Sequence, residues 1–251
     1  MMSYGTILRR IGAVATVVIL VGGLFSFSFS RLTYGFNWSG VWEYRQKFID
    51  GWVTTLLVSA ASLVLSLFFG LCAALARRSR VAILRYLAIV YVESIRGTPL
   101  LVQILIFFYV VADSFGLSNR YLVGVSTLSL FSGAYLAEMI RGAIESVGRS
   151  QRETAMALGL TPFQIYRLVI FPQVLRQLLP PLAGQFASII KDSSLLSIIA
   201  INEFTLNAQE VNAYTYSTLE SYLPLAVGYL ILTLPISLLS KRLERTFGYA
   251  T

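Results

Sequence analysis

Apolar residues run almost unbroken through six stretches of the chain, at 11–29, 52–76, 86–112, 121–140, 174–200 and 222–240. Each is near or above the roughly 20 residues a helix needs to cross about 30 Å of hydrocarbon. The pattern predicts an all-α, polytopic membrane protein with six transmembrane helices. A polar interval, SQRETAMALGLTPFQIYRLVIFP over 150–172, separates the fourth run from the fifth, and its punctuation predicts two short helices. Ser150 and Glu153 have capping-box spacing, and Gly159 stands where a left-handed residue would close the first helix. Thr161-Pro162-Phe163-Gln164 restarts a helix, with Thr161 as N-cap, Pro162 at the first helical position and Gln164 as reciprocal cap. Pro172 is expected to end the second helix before the next apolar run. Ala155, Ala157 and Gly159 present little bulk. That suits either a knob that docks against another chain or an ordinary loop hairpin.

Charge orders these runs across a membrane. Arg9 and Arg10 precede the first run, and Arg77, Arg78, Arg80 and Arg85 separate the second from the third. Arg141, Arg149, Arg152, Arg167 and Arg176 surround the hairpin, and Lys241, Arg242 and Arg245 follow the last run. The alternate loops hold only Arg31, Arg45, Lys47 and Arg120. Positive charge collects on the cytoplasmic side of membrane proteins, so both termini and the hairpin are expected there. The net charge of +8 therefore reflects topology and argues against a nucleic-acid partner. Composition agrees: 56% of residues are hydrophobic and 13% charged, against about 25% charged in soluble domains. The first run is long and lacks a small-x-small cleavage site, which favours a retained helix over a signal peptide. Residues 1–50 are read as that helix with an extracytoplasmic connector carrying Trp38, Trp42 and Tyr44, and 51–245 as the membrane core.

Few residues remain for chemistry. The chain has no histidine, and its lone Cys72 falls inside a run, so no cysteine or histidine metal site is expected. Lys191 and Asp192 are the costliest residues, because a charge near the bilayer centre is penalised by several kcal/mol. Neighbours on a helix do not face each other, so the two should have different partners. Ser188, Ser193, Ser194 and Ser197 add hydroxyls around them. Either these residues wall a translocation path or they form a structural ion pair. Arg96-Gly97-Thr98-Pro99 breaks the third run and frees backbone carbonyls, as a hinge or as a fixed kink. Glu93 and Arg96 have the spacing to neutralise each other, as do Glu138 and Arg141. Glu138 could instead attract cations in the path. The stretch from Asn202 to Glu220 is polar and tyrosine-rich, a receptor for a partner or a solvated loop.

Four segments resemble those of the polar amino acid permease family, the membrane subunits of binding-protein-dependent ABC importers. They are Gly51-Trp52-Val53-Thr54-Thr55-Leu56, Arg96-Gly97-Thr98-Pro99-Leu100-Leu101-Val102-Gln103, Glu153-Thr154-Ala155 through Gly159 to Pro172, and Lys191-Asp192-Ser193-Ser194-Leu195 with Glu203 after it. The third is similar to the family's coupling motif, with Ser150 in place of the usual glycine and Thr154 in place of alanine. The resemblance implies that Glu153, Thr154, Ala155, Ala157 and Gly159 dock into an ATP-binding subunit. The chain has no G-x-x-x-x-G-K-[ST] phosphate loop, and its only lysines are Lys47, Lys191 and Lys241. ATP and magnesium are therefore expected on the partner, with no cofactor on this chain. A second permease subunit, an extracytoplasmic substrate-binding protein and a bacterial inner membrane are implied as well. A secondary transporter or a channel subunit is the competing reading, though secondary transporters usually carry internal repeats.

The charge pattern makes a direct prediction. In a Cys72→Ser background, single cysteines at Ser79 or Gln151 should react with impermeant thiol reagents only from the cytoplasm. Cysteines at Ser118 or Thr215 should react only from outside. One reversed site would overturn the six-span reading.

Overall fold

The computed structural model describes residues 4–31 and 34–247, apart from the side chains of 4–11 and 14. Arg9 and Arg10, expected to mark a cytoplasmic N-terminus, have side chains outside the described residues. Backbone contacts divide the chain after Asn37. The first unit is one helix, α1 (Tyr4–Ser30), apolar and exposed over Ala15–Ser30. Residues 38–50, grouped by sequence with that helix, pack in the second unit.

The second unit contains the elements that follow, all helical; no strand occurs among the described residues. A short helix α2 (Trp38–Glu43) leads into α3 (Arg45–Arg77). Next come α4 (Ala82–Arg96) and α5 (Leu100–Ile106), the latter continued by wide turns over Phe107–Ala112. Helix α6 (Arg120–Glu145) is capped by Asn119, which accepts from the amides of Tyr121 and Leu122 at 3.0 and 3.2 Å. Then α7 (Arg149–Ala157) and α8 (Pro162–Gln164) form the hairpin. Wide turns over Ile165–Ile170 carry α8 into α9 (Phe171–Asp192), which tightens into a 3-10 turn at Ser193–Ile199. The chain ends with α10 (Phe204–Thr215) and α11 (Thr218–Phe247).

Helices α3, α6 and α11 are each long and apolar enough to cross a membrane unbroken. The third and fifth apolar runs take a different form. Ala82–Arg96 and Leu100–Ala112 make a pair bent by 112°, and Pro162–Ile199 with Phe204–Thr215 a pair bent by 51°. Pro172 does not end a helix as expected. It sits in the first turn of α9, directly after the wide turns, whose expanded radius relieves the clash that a proline ring makes with the preceding carbonyl.

Small residues explain the closest packing. Thr55, Ser59, Ser62, Ser66 and Gly70 recur at intervals of three or four along α3, and all are buried. They face α6, where Ser62 donates to the Val125 carbonyl at 3.5 Å and Gly70 lies against Gly133, Leu136 and Ala137. In lipid no hydrophobic force drives helices together, so close backbone approach and dispersion must hold the pair. The fit leaves no slack: a Cβ on Gly70 would lie 2.7 Å from Cβ of Leu136 and 3.0 Å from the carbonyl of Gly133. Gly70→Val should therefore lower the thermal midpoint of the purified protein, at about 1–3 kcal/mol of overpacking. Gly142→Ala, where nothing lies within 4 Å, should leave it unchanged or raise it. An unaltered midpoint in Gly70→Val would remove the seam as the organising contact.

Candidate functional site

The hairpin is built on a small core of its own. Val147, Ala155, Ile165 and Ile170 are buried together, with Leu160, Val169 and Val174 packed against them. Helix α7 starts two residues earlier than the Ser150 cap would give. Gly148 takes the extended conformation before the helix (φ −55°, ψ 142°) and no side chain caps it, so Ser150 lies inside the first turn. The other end follows the sequence. Gly159 has φ +78°, Gly159 N–H donates to the Met156 carbonyl at 2.9 Å, and Leu160 N–H to the Ala155 carbonyl at 3.1 Å. That is a Schellman closure, which only a residue tolerant of positive φ completes without strain. Thr161 and Gln164 form the expected capping box.

Burial reassigns the faces of this hairpin. Ala155 is 4% exposed and faces inward, whereas Glu153, Thr154, Ala157 and Gly159 are exposed. The outward tip carries apolar side chains that the sequence reading missed: Met156 at 56% exposure, Leu158 at 76% and Phe163 at 71%. Burial of Ala155 alone on α7 leaves its helix neighbours outside, and that choice of face comes from packing. Gln173 donates to Gln151 at 2.6 Å, and Ser146 bonds Gln177, bracing α7 and α6 against α9.

Arg96, Gly97, Thr98 and Pro99 form a fastened corner between α4 and α5. Pro99 has no N–H to offer the Ile95 carbonyl, and the amide of Gln103 supplies the missing donor at 2.7 Å. The same amide reaches the carbonyl and hydroxyl of Thr98 at 3.1 and 2.8 Å. Thr98 in turn bonds the Ser94 carbonyl at 2.9 Å. Gln103 is buried, so these bonds are shielded from water.

Arg96 does not pair with Glu93 as its spacing suggested. It reaches across to Glu138 of α6 at 3.5 Å, and Glu93 instead faces Arg77 at 3.7 Å. Glu138 also takes Arg77 from the end of α3 and Arg141 from its own helix, the latter at 2.8 Å. Thus one carboxylate, 16% exposed, is shared by arginines from three helices. The intrahelical pair with Arg141 was legible from spacing; the other two partners come from packing alone.

Lys191 and Asp192 mark the joint where α9 tightens into the 3-10 turn. They line a cleft of about 260 Å³ with Phe131 and Tyr135 of α6 and Gln185 and Ser188 of α9. Lys191 is exposed and Asp192 half-buried, and no salt bridge to either occurs among the described residues. Ser193 and Ser194 lie off the cleft, their hydroxyls bonded to the carbonyls of Ile190 at 2.8 Å and Lys191 at 2.7 Å. Glu138 is not among the cleft residues either.

At the end away from the hairpin, the stretch from Asn202 to Glu220 is an anchored helix rather than a loop. Glu203 is fully buried and caps α10, accepting from the amides of Thr205 at 2.9 Å and Leu206 at 2.8 Å and from the Tyr229 hydroxyl at 2.9 Å. Thr55 of α3 accepts from the Phe204 amide at 3.1 Å. Asn207 donates to the Lys47 carbonyl at 2.7 Å, and Lys47 pairs with Glu210. Gly51 admits this contact, since a Cβ there would lie 2.9 Å from Cα of Phe204.

Comparison with known proteins matches this arrangement. The family model for "Binding-protein-dependent transport system inner membrane component" matches residues 66–249. The glutamine transport system permease protein of Escherichia coli (strain K12) is 39% identical over 212 residues, spanning 84% of this chain and 97% of the relative. The probable glutamine ABC transporter permease protein GlnM of Bacillus subtilis (strain 168) is 32% identical over 215 residues, 84% of this chain and all of the relative. Among solved structures, an amino acid ABC transporter crystallised with histidines superimposes with TM-score 0.79 at 34% identity, covering 85% of this chain and 100% of that one. An inward-facing methionine ABC transporter shares the fold, with TM-score 0.68 at 18% identity over 81% of this chain and 97% of its own. The chain belongs to the binding-protein-dependent transport system inner membrane components, as a multi-pass permease subunit of an ABC importer rather than a catalytic one.

Proposed function

We propose that this chain forms one half of the pathway of an ATP-driven importer for a polar amino acid, moved through its hairpin by a separate ATP-binding subunit. The observation that carries this reading is the apolar tip of Met156, Leu158 and Phe163, held on a glycine-closed turn over a buried core. Exposed apolar side chains on a rigid, otherwise polar projection mark a protein-docking surface. ATP and magnesium belong to that partner. Closure of two ATP-binding subunits would draw two hairpins together and reorient the pathway between them. A second permease subunit, this chain or one like it, supplies the other half.

The charge distribution supports placing the hairpin and both termini in the cytoplasm of a bacterial inner membrane. The opposite end, with α10, then faces the substrate-binding protein. Relatives named for glutamine, and a solved relative crystallised with histidines, support a polar amino acid as cargo. The cleft fits such a zwitterion chemically: Lys191 suits its carboxylate, Asp192 its ammonium or a cationic side chain, and Gln185 and Ser188 add uncharged partners. Phe131 and Tyr135 would exclude water from one side and so strengthen both charge contacts.

Two experiments test these assignments. Leu158→Asp and Gly159→Trp should insert normally yet fail to retain the ATPase in detergent, or leave its hydrolysis uncoupled from uptake. Wild-type uptake by both would overturn the docking role. Lys191→Met and Asp192→Asn should yield assembled complexes with basal ATPase activity, while uptake falls by about tenfold or more through the loss of a desolvated charge contact. Asp192→Asn should depress cationic substrates more than neutral ones. Wild-type transport rates in both variants would remove the pair from the pathway.

A further inference from the structure

We infer that Glu138 is a positioning residue that links the hairpin to the wall of the substrate cleft. The inference rests on the transport reading above and adds to it a specific route through named side chains. At the hairpin end, Tyr166 lies on the second limb, and its hydroxyl accepts from Arg78 at 3.3 Å. Arg78 is the residue after Arg77, whose guanidinium is bound to Glu138. The other carboxylate oxygen of Glu138 faces Arg96 at 3.5 Å, and Arg96 lies over the ring of Tyr135 at 5.5 Å from its centre. The Tyr135 ring lies tilted against Phe131, 5.1 Å between centres, and these two rings are the α6 wall of the cleft.

The Arg78–Tyr166 contact is exposed, and the links around the carboxylate are the sheltered ones. Arg77 closes α3, and Arg96 closes α4 at the corner that Gln103 fastens, so a shift of either helix end carries its guanidinium with it. Glu138 and Tyr135 are three residues apart on α6, on one face of the helix. The carboxylate is 16% exposed and Arg77 17%, so water screens this contact little. Arg141 holds Glu138 from its own helix and also binds Glu145 at 2.6 Å, which fixes the acceptor without tying it to a second element. Displacing the hairpin thus moves Arg77 relative to the carboxylate that it shares with Arg96. Arg96 then carries that movement to Tyr135, opening or closing the cleft wall.

The test uses the complete importer, with its ATPase and binding protein, in proteoliposomes. The readout is substrate imported per ATP hydrolysed by assembled complex, alongside the thermal midpoint. A purely structural Glu138 would change the midpoint and the yield of complex, but not this ratio. As a positioning residue, Glu138→Gln should lower the ratio about tenfold and Glu138→Asp should restore most of it. Arg96→Lys keeps the charge but loses the guanidinium that lies over Tyr135, and it should lower the ratio in the same direction. If Glu138→Gln does not assemble, Arg96→Lys decides alone: a lowered ratio supports the link, and an unchanged ratio overturns it. Absence of ATP-dependent uptake by the wild-type complex would sink the transport reading, and the link with it. Normal wild-type uptake with unchanged ratios in the variants would sink only the link.

Discussion

Close approach of α3 and α6 is the contact on which the rest of the bundle depends. Residues with almost no side chain, Gly70 and Gly133, let the two backbones meet, and buried hydroxyls from Thr55 to Ser66 line the same face. The dispersion gained there substitutes for a hydrophobic force that lipid does not supply. From this seam the other elements take their places. At one end Thr55 and Gly51 receive the start of α10, and at the other Arg77 arrives beside Glu138. A bulky residue midway would therefore disturb both ends together.

Three side chains at the two ends answer one constraint, that a donor or acceptor away from water is costly unless partnered in protein. Gln103 supplies the donor that Pro99 lacks, so the corner is a fixed angle between α4 and α5 and not a loose joint. Glu203 satisfies the first amides of α10 and ties them to Tyr229 of α11. Glu138, itself 16% exposed, is compensated by arginines from three helices. Rigid corners and shared charges of this kind let helices move as bodies, the form of motion that alternating access requires.

The hairpin shows the opposite design. Its core is four buried residues, its ends are closed by a left-handed glycine and a capping box, and its tip leaves Met156, Leu158 and Phe163 in the open. Local rules fix its shape, because each closure involves residues within a few positions of one another. Ala155 is the one buried residue of α7, and its small side chain faces the hairpin's own core.

Local physics was legible in the sequence. The apolar runs located the membrane helices, since length and composition alone determine what can cross hydrocarbon, and Gly159 and Thr161 to Gln164 closed and reopened the hairpin as their chemistry demands. The motif from Arg96 to Pro99 disclosed a break, and Glu138 with Arg141 a pair, because both depend on neighbours along one helix. Tertiary structure decided what crosses between helices. It placed Arg96 on Glu138 instead of Glu93, turned the break into a corner held by Gln103, and set Lys191 and Asp192 in a cleft walled by Phe131 and Tyr135. It carried the hairpin through Pro172 into α9 and made an anchored helix, α10, of the polar stretch that the sequence left open between a receptor surface and a solvated loop. Spacing along a chain specifies contacts three or four residues apart, whereas a salt bridge between helices depends on rotation and depth that only packing sets.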